Sequence, residues 1–247
     1  MSSKPTPPPL IVAIDGPAGS GKSTAARMLA REVGFAHLNT GAMYRAVAYL
    51  VEEGGIDVED GERVAKVARD MMFEYDCATN SGDPRFVVAG REGAKRRDLT
   101  DGLFTAALTQ KLKPVVNNDK VREALVAKMR QAALDVLEHH APGVVLEGRD
   151  IGTVVFPDAL IKFYVQADLE ERTRRRAAEL QARGEIYDLD GLRKQIEYRD
   201  HVDASRAVGP LKKADDALEI DTTFLSQAET LAKLVAALER RRAERGV

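Results

Sequence analysis

A chain of 247 residues, 44% hydrophobic and 31% charged, can bury a substantial core, either as one large domain or as a core carrying insertions. Its 37 Lys and Arg against 39 Asp and Glu give a formal net charge of −2, so no global field favours nucleic acid or a membrane surface. The single cysteine, Cys77, excludes an internal disulfide, fits a reducing cytosol and, with no Cys or His set nearby, reads as a packed thiol.

Residues 1–9, MSSKPTPPP, have the prolines of an extended, disordered tail and lack the apolar segment of a secretory signal. No run approaches the roughly 20 apolar residues that span a bilayer, so a cytoplasmic protein with one domain over 10–247 is expected. Leu10 to Ile14 is nearly all apolar and reads as a buried strand of a parallel sheet. Gly16, Pro17, Ala18, Gly19, Ser20, Gly21, Lys22, Ser23 and Thr24 then carry G-x-x-x-x-G-K-[ST] without a gap, and a helical pattern starts at once. Glycines let successive N–H groups point into one hollow, and the helix that follows adds its unpaired donors and partial positive charge. Lys22 brings a full charge to the outer phosphates of a nucleoside triphosphate, and Ser23 offers a hydroxyl to magnesium.

The helix predicted from Lys22 to Val33 closes at Gly34, and Phe35 to Leu38 is a second strand. That strand delivers Asn39 to Arg45 to its carboxyl end, where ligands sit in open α/β sheets. Thr40 is placed to cap the next helix or face a substrate oxygen, and the segment alone assigns Arg45 to a solvated face. Val64, Val67, Ala68, Met71 and Met72 recur with helical spacing. Short β-like runs at Phe73 to Cys77 and Phe86 to Ala89 surround the turn signal Asn80 to Pro84, which predicts a hairpin insert outside the βα rhythm. The basic cluster Arg91, Lys95, Arg96, Arg97 reads as solvated.

Asp119 to His140 is a long predicted helix with Leu125, Met129, Ala132 and Val136 on one face. Arg122 lies in its first turn, where a cation gains nothing from the dipole, and this points to an anionic or carbonyl partner elsewhere. Val144 to Leu146 is a buried strand running into Glu147-Gly148-Arg149-Asp150, a density of charge that a purely structural loop does not need. An apolar strand ending in an acid also resembles the magnesium-organising second element of phosphate-loop enzymes.

After a strand over Leu160 to Ala167, Asp168 and Glu171 form a predicted capping box. Arg172, Arg175 and Arg176 share one face of the helix behind it, and a second helix follows the Glu185 to Asp188 turn. Helix, turn and helix with a basic inner face read as a mobile lid. On the second helix Arg199 and Asp203 have the i,i+4 spacing of an ion pair, with Arg206 a further turn on. A last strand over Ala217 to Asp221 precedes a helix capped by Ser226 and Glu229.

The segments GPAGSGKST (16–24), NTGAMYRAVA (39–48), VREAL (121–125), EGRDIGTVVFPDA (147–159), EERTRRR (170–176) and RDHVDASR (199–206) together resemble the bacterial cytidylate kinases of the nucleoside monophosphate kinase family. The resemblance spans nearly the whole chain after the tail, and EGRDIGTVVFPDA is its most specific part. It implies an α/β P-loop fold of three layers with a central parallel sheet, a monophosphate-binding insert over about 73–115 and a mobile helical lid over about 168–188. The implied activity is transfer of the γ-phosphoryl group of ATP, with Mg2+, to CMP or dCMP by a monomer with no nucleic-acid or membrane partner. By position, Thr40, Arg45 and Arg149 would hold the acceptor phosphate, and Arg122 and Asp150 would read the cytosine edge with Thr109 as helper. Arg199 and Asp203 would contact the pentose, Arg206 would line the same pocket, and Lys22, Arg149, Arg172 and Arg176 would gather the transferring group. This chain departs from the family pattern at three places. Asn39 stands where the family usually has Asp, Asp98-Leu99-Thr100 replaces Ile-Arg-Thr, and Lys111 to Asp119 is a few residues longer. The rival readings are a kinase of another small acceptor (AMP, UMP or shikimate) and a nucleotide-dependent switch, although the guanine-reading Asn-Lys-x-Asp pattern is missing.

Overall fold

The computed structural model describes residues 9–76, 85–91 and 93–247; the tail up to residue 8, Cys77 and the turn at 80–84 lie outside the described residues. Strand β1 (Leu10–Asp15) leads through the glycine-rich loop into α1 (Lys22–Val33), and β2 (Ala36–Asn39) leads into α2 (Gly41–Glu53). Helix α3 (Gly61–Asp70) precedes β3 (Met72–Asp76), β4 (Arg85–Ala89) and β5 (Arg97–Asp98). Two short helices, α4 (Ala106–Gln110) and α5 (Leu112–Val116), bring the chain to the long α6 (Asp119–His139) and then to β6 (Gly143–Gly148). A π-helical turn (Ile151–Val155), β7 (Ile161–Gln166), the pair α7 (Leu169–Ala182) and α8 (Leu189–Ala204), β8 (Leu218–Asp221) and α9 (Gln227–Arg245) complete the order.

The main sheet has five strands in the order β2-β6-β1-β7-β8, every pair parallel. Alternation along β1 explains the layers: Ile11 and Ala13 face a core with Met43, Val47, Leu125 and Met129, whereas Val12 and Ile14 face Leu29, Leu234 and Leu238. Helices α2, α3 and α6 therefore cover one face and α1 and α9 the other, giving the expected three layers. Because β1 lies between β6 and β7, the chain crosses to opposite sides of it, and a crevice opens at the carboxyl ends of the strands.

The hairpin expectation holds as a separate antiparallel sheet, β3-β4-β5, in which Met72 pairs with Ala89 and Asp76 with Arg85. Phe73, Tyr75 and Phe86 pack on one another at ring-centroid distances of 5.0 to 6.0 Å, with Phe104 5.9 Å from Phe86. Met71 and Met72 part company: α3 ends at Asp70, Met71 is buried, and Met72 starts the strand half-exposed. Ser226 and Glu229 form a reciprocal capping box on α9. At α7 only half of the predicted box exists. Asp168 accepts from the Glu171 backbone at 2.7 Å, but the Glu171 carboxylate is taken by Arg174 and Arg175. The π-helical turn is pinned by Asp15, whose two oxygens each accept a backbone N–H, from Ile151 and Gly152, at 2.8 Å.

Candidate functional site

The loop after β1 passes so close to β7 that a Cβ on Gly16 would sit 2.0 Å from the Val165 carbonyl oxygen. Gly19 and Gly21 take φ of +76° and +83°, the left-handed region that curls the N–H groups inward. Lys22 is buried, donates to the Pro17 carbonyl at 3.3 Å, and is pulled down to about 7 by burial and then by the charge of Arg149. The Ser23 hydroxyl donates to Glu147 Oε2 at 2.5 Å. Burial pushes the Glu147 carboxyl up, but His37, Lys22 and Ser23 together reverse this and hold it below its usual range. Two cavities open around this loop, one of about 540 Å3 and one of about 470 Å3, and Gly19, Lys22 and Ser23 line both.

The larger, front cavity gathers Thr40, Arg45, Thr109, Arg122, Arg149, Asp150, Arg199, Asp203 and Arg206, nine residues singled out in the sequence. At its floor Arg122, 2% exposed, donates to Asp150 Oδ2 at 2.5 Å and to the Gly209 carbonyl at 3.0 Å, while lying 5.6 Å over the Tyr44 ring. The mismatched cation of α6 has thus found both an anion and a carbonyl. Burial pushes the Asp150 carboxyl up against the opposing pull of Arg122.

Asp203 forms a different pair from the one its spacing predicted. It accepts from Arg149 at 2.8 Å and from Arg206, leaving Arg199 without a hydrogen bond or ion pair among the described residues. The arginine that follows β6 takes the carboxylate, and Arg199 lines the same cavity beside it. Burial pushes the Asp203 carboxyl up, and Arg149 and Arg206 bring it back below its usual range. Arg45 is half-buried rather than solvated: it donates to the Leu103 carbonyl at 3.1 Å and to Thr109 Oγ1 at 2.9 Å, with Phe104 5.1 Å away. Burial and the charges of Arg199 and Arg176 lower it to about 10. Thr40 does not cap α2; its hydroxyl donates to the Glu147 carbonyl at 2.8 Å.

The smaller, rear cavity is lined by Ser20, Gly21, Thr24, Met28, Arg175, Thr222 and Leu225 among others. The three arginines that share a face of α7 go to three places. Arg172 donates to Asp200 at 2.5 Å, to the Ala18 carbonyl at 3.2 Å and to the Ala167 carbonyl at 3.0 Å. Arg175 grips Glu171 and both oxygens of Thr222, and Arg176 pairs with Glu179 on its own helix, lining neither cavity. In the basic cluster of the insert Arg91, Lys95 and Arg96 are exposed and Arg97 half-buried; Arg96 pairs with Glu74, and Arg97 with Glu53 and Tyr49.

Sequence reasoning passed over His37, Tyr44, Phe104, Lys113 and Tyr198. Lys113 reaches across the mouth of the front cavity to the Tyr198 hydroxyl at 2.8 Å. The extra length noted between Lys111 and Asp119 was a usable signal for Lys113; none of the others carried one. Among the described residues no helix is long and apolar enough to cross a membrane, and no cluster of three or more His, Cys, Asp or Glu is arranged to hold a metal.

A protein-family model described as cytidylate kinase matches residues 12–240. A cytidylate kinase of Geobacter sulfurreducens is 40% identical over 96% of this chain and 96% of its own length. One from Listeria monocytogenes is 38% identical over 93% and 96%. A bifunctional pantoate ligase/cytidylate kinase of a Synechococcus is 40% identical over 95% of this chain, which spans 42% of that longer protein. With the phosphate loop, the paired floor and the helical cover all present in one sheet crevice, the chain belongs to the cytidylate kinase family.

Proposed function

We propose that the protein transfers the γ-phosphoryl group of ATP to CMP or dCMP, giving ADP and CDP or dCDP. The observation that carries this reading is two cavities meeting at Lys22 and Ser23, so that a donor behind and an acceptor in front bring their phosphates to one point. An acceptor phosphate oxygen attacks the γ-phosphorus as the bond to the β-phosphate oxygen breaks, and the protein supplies position and positive charge.

In this reading Gly16 to Thr24 cradle the donor phosphates, and Arg45, Arg149 and Thr40 receive the acceptor phosphate, with Arg199, unpaired among the described residues, turned to it or to the pentose. Asp203 and Arg206 border the sugar. Asp150, with Oδ2 engaged by Arg122, offers its other oxygen to the 4-amino group that distinguishes cytosine from uracil. An unpaired buried acceptor costs about 1–3 kcal/mol, enough to discriminate between the two bases. Arg172 and Arg176 are the lid's contribution, Arg176 on closure of α7 and the turn behind it, over about 168–188.

The donor set fits a hard cation carried by the nucleotide: the Ser23 hydroxyl, the Glu147 carboxylate and Asn39 line one cavity, and Glu147 Oε1 is buried without a hydrogen-bond partner among the described residues. Ser23 would hold Mg2+ directly, with Glu147 beside it, and the ion would neutralise charge developing between the β- and γ-phosphates. We place this chemistry in a cytoplasmic monomer whose partners are its small-molecule substrates.

An ADP-release assay across CMP, dCMP, UMP, AMP and shikimate, with the product identified, tests the proposal. CMP and dCMP should outrun the rest with one CDP or dCDP per ADP; AMP or shikimate leading, or free phosphate in place of product, would overturn it.

A further inference from the structure

Position 39, where the resemblance places an acid, carries Asn39, and the charge beside the phosphate loop comes from the neighbouring strand instead. Asn39 and Glu147 are register partners at the carboxyl ends of β2 and β6. Two residues before Asn39, on the same face of β2, His37 is 5% exposed, and its Nε2 lies 3.4 Å from Glu147 Oε1. Each of these two buried atoms lacks a hydrogen-bond partner among the described residues, so their 3.4 Å approach is the one polar contact either makes. The other oxygen of the same carboxylate accepts from Ser23, and the Glu147 carbonyl accepts from both the backbone and the hydroxyl of Thr40. A buried line therefore runs from His37 through Glu147 to the loop serine.

We infer that His37 is a positioning residue for phosphoryl transfer, holding Glu147 in the rotamer that engages Ser23, and that the His37–Glu147 couple stands in for the acid missing at position 39. A glutamate has one more rotatable bond than an aspartate, and a carboxylate anchored through one oxygen can swing away from the loop. The imidazole, 3.4 Å from the second oxygen, restricts that freedom. Outer partners of this kind on groups that organise a metal typically change affinity 10–100-fold when lost. The inference rests on the donor being a magnesium nucleotide and is independent of which acceptor is used.

The test measures binding of a fluorescent ATP analogue with and without Mg2+, alongside KM for ATP and for CMP, in His37→Leu, His37→Gln, Glu147→Gln and Asn39→Asp/Glu147→Gln. His37→Leu should weaken the magnesium complex about 10-fold and leave the metal-free nucleotide and the CMP KM within about twofold, and His37→Gln should recover most of the loss. The double variant should regain most of the magnesium-dependent affinity that Glu147→Gln loses. Equal weakening with and without Mg2+, or wild-type binding by His37→Leu, would overturn the role of His37. Failure of the aspartate at position 39 to restore binding would overturn the substitution of one acid for the other. If His37→Leu does not fold, the double variant and His37→Gln decide the matter. Wild-type protein that binds the magnesium nucleotide but makes no CDP would refute the proposed function and leave this inference standing.

Discussion

The front and rear cavities share the phosphate loop and little else in their chemistry. In the front cavity buried charges are matched in two sets, Arg122 with Asp150 and Arg149 and Arg206 with Asp203, while Arg45 and Arg199 pair with no carboxylate among the described residues. In the rear cavity the loop backbone, hydroxyls and aliphatic carbons are flanked by charges of α7, whose Arg174 and Arg175 are both held by Glu171, Arg175 also by Thr222. A buried ion pair fixes geometry at a high desolvation cost, and removing one member leaves the other uncompensated. In the front cavity, replacing one member of such a pair also disturbs the fold. The rear is a more forgiving surface, where a substitution can change donor affinity alone.

The largest expected effect lies at the seam between the two. Lys22→Ala should lower kcat by about 100- to 1,000-fold with both substrates still bound, the scale of losing one preorganised group that faces developing charge. Steady-state kinetics with a thermal melt check this, and turnover near wild type would remove the shared seam from the comparison. Next comes the front floor. Asp150→Ala strands Arg122, so it should cost about 3–5 kcal/mol of stability and raise the CMP KM far more than the ATP KM. A milder Asp150→Asn isolates the recognition effect by comparing CMP with UMP, and equal losses for ATP and CMP would show that the front is not selective.

Asp15 offers a test through pH. Burial, opposed by the Gly152 and Ile151 amides, raises its carboxyl to about 6. Native protein therefore binds this proton more tightly than the unfolded chain, and stability drawn from the group is present below about pH 4 and lost as pH rises through 6. The stability of wild type relative to Asp15→Asn should fall by about 3 kcal/mol between pH 4 and 7, the equivalent of roughly two pKa units. Denaturant titrations across that range measure it, and a flat difference would contradict the assignment. In the rear, Arg175→Ala should raise the ATP KM several-fold and leave the CMP KM unchanged, which parallel substrate titrations would show. The smallest effect belongs to the insert, where Arg96→Ala breaks an exposed pair worth about 0–1 kcal/mol and should leave both KM values alone.

Much of the frame was legible in the sequence because it is written locally. The apolar run of β1, the glycine spacing after it and the caps of α9 need only near neighbours, and each is found where expected. Arg122 was legible for a different reason: it sits badly for its own helix, and the structure supplies the distant partner that explains it. What local spacing could not encode is competition between partners. Arg199 and Asp203 have correct spacing for a pair, yet Arg149 arrives from another strand and takes the carboxylate. Thr40 had the side chain of a cap, but the Glu147 carbonyl on the neighbouring strand accepts its proton. The three arginines of α7 share a face in projection and still diverge: the loop and α8 engage Arg172, the end of β8 engages Arg175, and Arg176 pairs within its own helix. His37 gave no signal, since a histidine in a short apolar strand becomes meaningful only once β6 is laid beside it.

One guanidinium joins three parts of the molecule that are otherwise far apart in the chain. Arg172 holds a carbonyl of the glycine-rich loop, a carbonyl at the end of the β7 segment and a carboxylate on α8. Helices α7 and α8 cannot then swing as a free flap: a rotation must pivot at this knot or untie it. Since α8 also carries Tyr198, Arg199 and Asp203 along the front wall, the side chain that touches the phosphate loop also touches the helix that forms that wall. One substitution at Arg172 would cut all three of these ties at once.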